Sequence, residues 1–248
     1  MIAPPRSCST LTARILWNCQ RIAFYSHEPF DAIYHRNAAV SSALTRLLHP
    51  VDLREHSQLR PISGSGLLIK ELSFQVGDCF PLLASLTTHP ILFLLRDPRL
   101  TVASRMRMRE KIGQPALFPV RESGWEQLPG QVEYCRARAI PHLLVDTTDL
   151  RRDPARIVSA ICAAIGLPYA DEVLHWAPAQ GLRFGLSVQE QEEWNTRVLA
   201  STAVDPPDEE LPGLATFPGA GGMRGHVEAA LATYRSLLEA PERLRNSG

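Results

Sequence analysis

Residues 91–111, ILFLLRDPRLTVASRMRMREK, join two patterns whose order decides the fold. Ile91 to Leu95 is apolar at every position, as a strand covered on both faces must be. Asp97-Pro98 follows at once, a side chain suited to cap a helix and then a proline suited to its first turn. The helical pattern runs from about Arg99 to Lys111. A doubly buried strand that runs straight into a helix is the repeating unit of a parallel sheet.

The unit recurs in both directions. Further strands are expected at Met1–Ala3, Ile22–Ser26, Leu67–Lys70 and His142–Asp146. Helices are expected from Ser9 to about Arg21, Ala38 to Leu48, Cys79 to Leu86 and about Ser123 to Ala139. Asp153-Pro154 opens another, which reaches Ala164 and stops at Gly166-Leu167-Pro168. After Tyr169 no strand pattern appears. Ala170–Trp176, Val188–Leu199 and about Arg224–Leu238 look helical, while residues 203–222 are rich in Pro, Gly and acid and read as a loop. The expectation is an α/β fold of three layers, α/β/α, with a parallel five-stranded sheet. It forms a single domain, with an α/β core over residues 1–169 and a helical C-terminal cap with a lid-like loop over 170–248.

Composition narrows the functional classes. The 248 residues carry 26 basic and 26 acidic side chains, so bulk attraction to nucleic acid or an anionic membrane has no basis. The five cysteines are odd in number and form no CxxC pair, which reads as reduced thiols and not as a disulfide framework or zinc site. No secretory signal is visible at the N-terminus, and no apolar run approaches the ~20 residues of a membrane span. A cytoplasmic protein is expected. No divalent metal is implied, because there is no HExxH or clustered His/Asp set.

In an open α/β sheet, ligands bind beyond the carboxyl ends of the strands. The first strand runs into Pro4-Pro5-Arg6-Ser7-Cys8-Ser9-Thr10. Helix-start amides, the hydroxyls of Ser7, Ser9 and Thr10 and the Arg6 guanidinium suit a phosphate, although Ser7 or Ser9 would serve equally as a plain helix cap. Beyond the 91–95 strand, residues Arg96 to Lys111 hold six basic side chains and two acidic ones. A solvated helix face accounts for Arg105, Arg107 and Arg109. It accounts less well for Arg96, which ends a buried strand; Ser104, about two turns into the helix, could share an anion with it. A nucleoside-triphosphate P-loop is disfavoured, since GxxxxGK[ST] is absent and the first 63 residues contain no glycine.

PPRSCSTLTARIL resembles the 5′-phosphosulfate loop of sulfotransferases that use 3′-phosphoadenosine-5′-phosphosulfate (PAPS). FLLRDPRLTVASRMR is similar to their 3′-phosphate motif, an Arg with a Ser eight residues on, and HLLVDTTDLRRDPARIVSAICAAIGLPY to a later strand and helix. His27-Glu28-Pro29-Phe30 matches a sequence of the bacterial branch. The resemblance covers roughly residues 1–170 and implies the P-loop nucleoside-triphosphatase-like form of the α/β fold.

The resemblance further implies that Arg6, Ser7, Cys8, Ser9 and Thr10 hold the 5′-phosphosulfate, and Arg96 and Ser104 the 3′-phosphate. Cys8 stands where the family usually has Gly, so its Cβ narrows the approach. Lys70-Glu71-Leu72 falls where many members carry Lys-Thr-His, with Leu72 in the place of the catalytic His. Residues 219–225, GAGGMRG, are a weak counterpart of the family's glycine-rich cofactor loop. Implied is transfer of a sulfonate to a hydroxyl or amine of a small-molecule acceptor, leaving 3′-phosphoadenosine-5′-phosphate (PAP). Arg6, then Lys70, would stabilise the charge on the leaving phosphate. Glu28 is narrowly preferred to His27 as general base, with His35, His56 and Glu71 also open. Phe30, Tyr34, Trp176, Phe184 and Trp194 are candidates for the acceptor pocket, Trp176 and Trp194 being expected as core. Two other readings remain: a non-catalytic nucleotide-binding or scaffold member of the fold, and a P-loop-type phosphotransferase.

Overall fold

The computed structural model describes residues 1–55, 62–179 and 188–244, the side chains of 188–193 and Ala220 excepted. His56 and Phe184 lie outside the described residues. In chain order the elements are β1 (Ile2–Ala3), α1 (Ser9–Trp17), β2 (Ile22–His27), α2 (Asp31–Arg36), α3 (Val40–Leu48), β3 (Val51–Asp52) and β4 (Gly66–Leu72). There follow α4 (Ser73–Val76), α5 (Phe80–Ser85), β5 (Ile91–Leu95), α6 (Pro98–Lys111), α7 (Leu128–Ala137) and β6 (His142–Asp146). The chain closes with α8 (Thr147–Arg152), α9 (Pro154–Ala164), α10 (Val188–Ala200) and α11 (Met223–Glu239).

One sheet of six strands runs β3-β2-β4-β1-β5-β6. The five expected strands are all present and parallel to one another. The sixth, β3, is an antiparallel edge that pairs Val51 and Asp52 with Tyr25 and Phe24. The expected count of five is therefore corrected to six, because a two-residue edge strand needs backbone pairing and no apolar run. The segment Ala170–Trp176, expected as helix, forms only a 3-10 turn at Asp171–Leu174.

β5 shows why its run is wholly apolar. Leu92 and Leu94 pack into a core shared with Leu16, Trp17, Ile157 and Ile161, whereas Phe93 and Leu95 enter a second core with Phe80, Trp125, Leu128 and Tyr234. Both faces of the strand are covered, and all five residues are buried. Ala230, Tyr234 and Leu237 of α11 belong to the second core. The two Asp-Pro helix starts cap as their sequence suggests: Asp97 accepts from Arg99 N at 2.9 Å and Asp153 from Arg156 N at 3.3 Å.

The topology places the crevice. From β1 the chain crosses by α1 towards β2, whereas from β5 it crosses by α6 and α7 towards β6 on the other side. β1 and β5 are neighbours, so their carboxyl-end loops diverge, and ligands bind at such switch points. The loops are those of Arg6 and Arg96. Gly124 supports the first from behind: its φ is +78°, and a Cβ there would lie 2.4 Å from Ser73 Oγ and 3.0 Å from Pro4 Cα.

Candidate functional site

The switch-point crevice is a cleft of about 740 Å³. It brings together Arg6, Cys8, Ser9 and Thr10 from the loop and start of α1, His27 and Glu28 from the end of β2, Lys70 from β4, Arg96 from the end of β5 and Ser104 from α6. Ser7 does not line it. That residue is fully buried behind the loop, and its hydroxyl has no hydrogen-bond partner. Residues 219–225 contribute nothing to the described lining.

The loop after β1 is built on left-handed backbone. Arg6 has φ +63° and Cys8 φ +54°. Cys8 is the N-cap of α1 and gives it no side-chain cap, so the first amides of the helix lack the usual local acceptor. A left-handed L-residue costs roughly 1–2 kcal/mol, a cost glycine avoids. The conformation thus explains why glycine suits this position better than a constraint on approach alone. Cys8→Gly is expected to stabilise the fold by about 0.5–1 kcal/mol net of the entropy glycine adds to the unfolded chain, and Cys8→Val to destabilise it. Denaturation midpoints check both.

Arg6 spans the cleft. Its Nε donates to Ser104 Oγ at 3.1 Å and its Nη1 to the Trp194 carbonyl at 3.1 Å, while its own carbonyl accepts from Arg96 Nη1 at 2.9 Å. Burial, reinforced by Arg96 and Arg105, holds the Arg6 guanidinium below its ordinary pKa. Ser104 therefore meets Arg6 directly and reaches Arg96 only through the loop.

A second polar cluster lies at the tips of β2 and β4. The Lys70 ammonium contacts Glu28 Oε1. His27 Nε2 lies 3.4 Å from the same oxygen, and His27 Nδ1 is 2.6 Å from the Tyr25 hydroxyl. Burial, with Lys70 adjacent, pushes the imidazole down to about 3, so the ring is neutral. Burial would raise Glu28, but Lys70 and His27 outweigh it and bring the carboxyl to about 2. Burial together with neighbouring carboxylates keeps the Tyr25 phenol protonated, so it donates to Nδ1 and leaves the Nε2 proton facing Glu28. Glu28 itself has φ +48°, a strained backbone of the kind that gathers at functional sites.

Glu71 is placed differently. Its two oxygens accept from the Phe30 and Leu72 amides at 2.8 and 2.7 Å, and it does not line the cleft. Burial, with Glu28 nearby, raises it to about 8. It fastens the β4 tip to the turn that carries Glu28. His35 lines the cleft 3.6 Å from Asp31.

Two expectations about residue roles need correction. Arg105 is not on a solvated face. It is buried, pairs with Glu122 at 2.5 Å and lies 4.7 Å from the ring centre of Phe118. Trp194, expected as core, lines the cleft beside Arg6, at 5.8 Å. Trp176 is core as expected, whereas Phe30, a candidate for the acceptor pocket, is buried in the second core and does not line the cleft. Sequence reasoning missed Arg151 and Glu209 altogether. Glu209 meets Arg96 at 2.8 Å and Arg151 at 2.7 Å, joining the acidic loop to the end of β5 and to α8. The signal available was Arg151 itself, shortly after a strand end.

The described lining holds nine arginine and lysine side chains against five carboxylates, in a chain of zero net charge. Such a cleft favours an anionic ligand. Among the described residues no group of three or more His, Cys, Asp or Glu could hold a metal ion, and no helix is long and apolar enough to cross a membrane.

A family model for the sulfotransferase domain matches residues 69–217, which include Lys70, Arg96, Ser104, Arg151 and Glu209. Among solved structures, the chain is similar to the sulfotransferase domain from the Synechococcus PCC 7002 olefin synthase. The TM-score is 0.56 at 16% identity, over 94% of this chain and 92% of that one. It is similar also to the sulfotransferase domain from the curacin biosynthetic pathway, with TM-score 0.58 at 15% identity, over 94% and 95% of the two chains. At these identities the likeness is one of fold. No curated protein matches.

Proposed function

This chain belongs to the sulfotransferase family, and from that premise we propose that its cleft moves a sulfonate group from PAPS to a hydroxyl or amine of a small-molecule acceptor. The observation that carries the reading is the convergence of Arg6, Arg96, Ser104, Lys70 and Glu28 on one cleft at the switch point. The residues present fit the donor. The uncapped start of α1, with Ser9 and Thr10 lining the cleft beside it, suits its 5′ end, and Arg96 already holds an anion, the Glu209 carboxylate.

In this reading Arg6, Ser9, Thr10 and the amides that begin α1 hold the 5′-phosphosulfate, and Arg96 and Ser104 serve the 3′-phosphate. When bound, the donor supplies the sulfonate and a phosphate leaving group. Arg6 faces the charge that grows on the leaving oxygen, and it is fixed in advance by Ser104 and the Trp194 carbonyl. Glu28 takes the proton of the acceptor. His27, neutral and bonded to Tyr25, positions that carboxylate, and Lys70 keeps it ionised. No metal takes part in this scheme, and the cytoplasm is the setting proposed for it.

The test is incubation with PAPS and a panel of hydroxyl and amine acceptors, read by mass spectrometry. A sulfonated product that Glu28→Gln fails to form is expected. Nucleotide binding with no product from any acceptor, in wild type as in variants, would favour a non-catalytic member of the fold.

A further inference from the structure

Arg96 follows directly on β5 and Arg151 sits in α8, the helix that follows the adjacent strand β6; their side chains are 8% and 6% exposed. Two buried guanidinium groups side by side are costly unless an anion lies between them. Here that anion is Glu209. Arg151 Nη1 donates to both of its oxygens, at 2.9 and 2.7 Å, and Arg96 Nη2 lies 2.8 Å from Oε1. Arg151 also grips the backbone of the same segment, with Nε to the Asp205 carbonyl at 3.0 Å and Nη2 to the Pro206 carbonyl at 2.6 Å. The segment from Asp205 to Pro212 has no regular secondary structure and carries three prolines and four acids. Its buried charge anchors are Arg151 and Arg96, and the exposed Arg197 of α10 adds a pair to Asp205 at 3.3 Å.

We propose that Arg151 is a second arginine for the nucleotide's 3′-phosphate, and that Glu209 stands in its place until nucleotide arrives. This deepens the reading above and rests on it. A phosphate brings more charge and more acceptor oxygens than a carboxylate, so it can take over both guanidinium groups. Binding of the nucleotide and release of residues 205–209 are then one exchange, and the acidic loop sets the affinity. Burial opposes ionisation of Glu209, but Arg96 and Arg151 override it and hold the carboxyl below its ordinary range, so the stopper is charged at neutral pH.

The experiment is calorimetric titration of wild type, Glu209→Gln and Arg151→Lys with PAP and, separately, with adenosine 5′-phosphate, which lacks the 3′-phosphate. Glu209→Gln should bind PAP about tenfold tighter, and Arg151→Lys about tenfold weaker, since each change removes a charge-assisted, two-pronged contact on one side of the exchange. Neither should change the affinity for adenosine 5′-phosphate more than about twofold. In wild type, PAP should also open residues 205–211 to limited proteolysis. A merely structural Arg151 would move both nucleotides alike, and that result overturns the proposal. So does equal PAP affinity in wild type and Glu209→Gln, which leaves the cofactor reading standing. Failure of both proteins to bind PAP at millimolar concentration overturns the cofactor reading and this proposal together.

Discussion

Glu28→Gln is expected to lower kcat by about 10²–10⁴-fold while leaving the Kd for PAP unchanged. Glutamine preserves shape and one acceptor oxygen but cannot take a proton. Glu28 sits on a strained turn, φ +48°, in contact with Lys70 and 3.4 Å from the His27 ring. The pH profile distinguishes it from an ordinary histidine base. A base works when deprotonated, so activity falls as pH drops through its pKa, and Glu28 is held at about 2. No acid limb is therefore expected in kcat/KM between about pH 5 and 7, where an unperturbed imidazole would produce one. Lys70→Met removes the largest influence that lowers Glu28 and should bring an acid limb upward into the ordinary carboxylate range. A Glu28→Gln variant with full kcat would remove the carboxylate from the chemistry.

The second large effect separates Arg6 from Arg96. Arg6→Ala should lower kcat by about 10²–10³-fold, the loss typical of one preorganised donor to transition-state charge. Arg96→Ala should act mainly on PAP affinity. The Arg6 guanidinium is aligned by Ser104 and the Trp194 carbonyl near the start of α1, whereas Arg96 faces Glu209 and, across it, Arg151 of α8. The two are linked, because Arg96 donates to the Arg6 carbonyl at 2.9 Å. The double variant should accordingly lose less than the sum of the single losses. Equal losses of binding alone for both variants would take Arg6 out of the catalytic role.

Much of the architecture is legible in the chain because its strands are buried on both faces. Ile91 to Leu95 needs apolar residues toward each core, and that demand removes the alternation that would make a strand ambiguous. Asp97-Pro98 and Asp153-Pro154 mark their helix starts by local chemistry alone. β3 leaves no such mark, since two residues at an edge pair through backbone. At the candidate site, Arg6 and Arg96 stand out because a charged residue at the tip of a buried strand has few other reasons to be there. Arg105 was legible only as one of several arginines, for its burial depends on Phe118 and Glu122, which only the fold brings near. Trp194 and Glu209 reach the cleft from the C-terminal third, 188 residues from Arg6 and 58 from Arg151 along the chain. No local pattern encodes such meetings.

The central claim is that this cleft is built for a nucleotide with a 3′-phosphate, and thermal unfolding of the wild-type protein with PAP or ATP tests it most directly. PAP at about 100 times its Kd should stabilise the fold by about 2.7 kcal/mol, and ATP at the same concentration should do markedly less. Stabilisation by ATP with none by PAP would contradict the account.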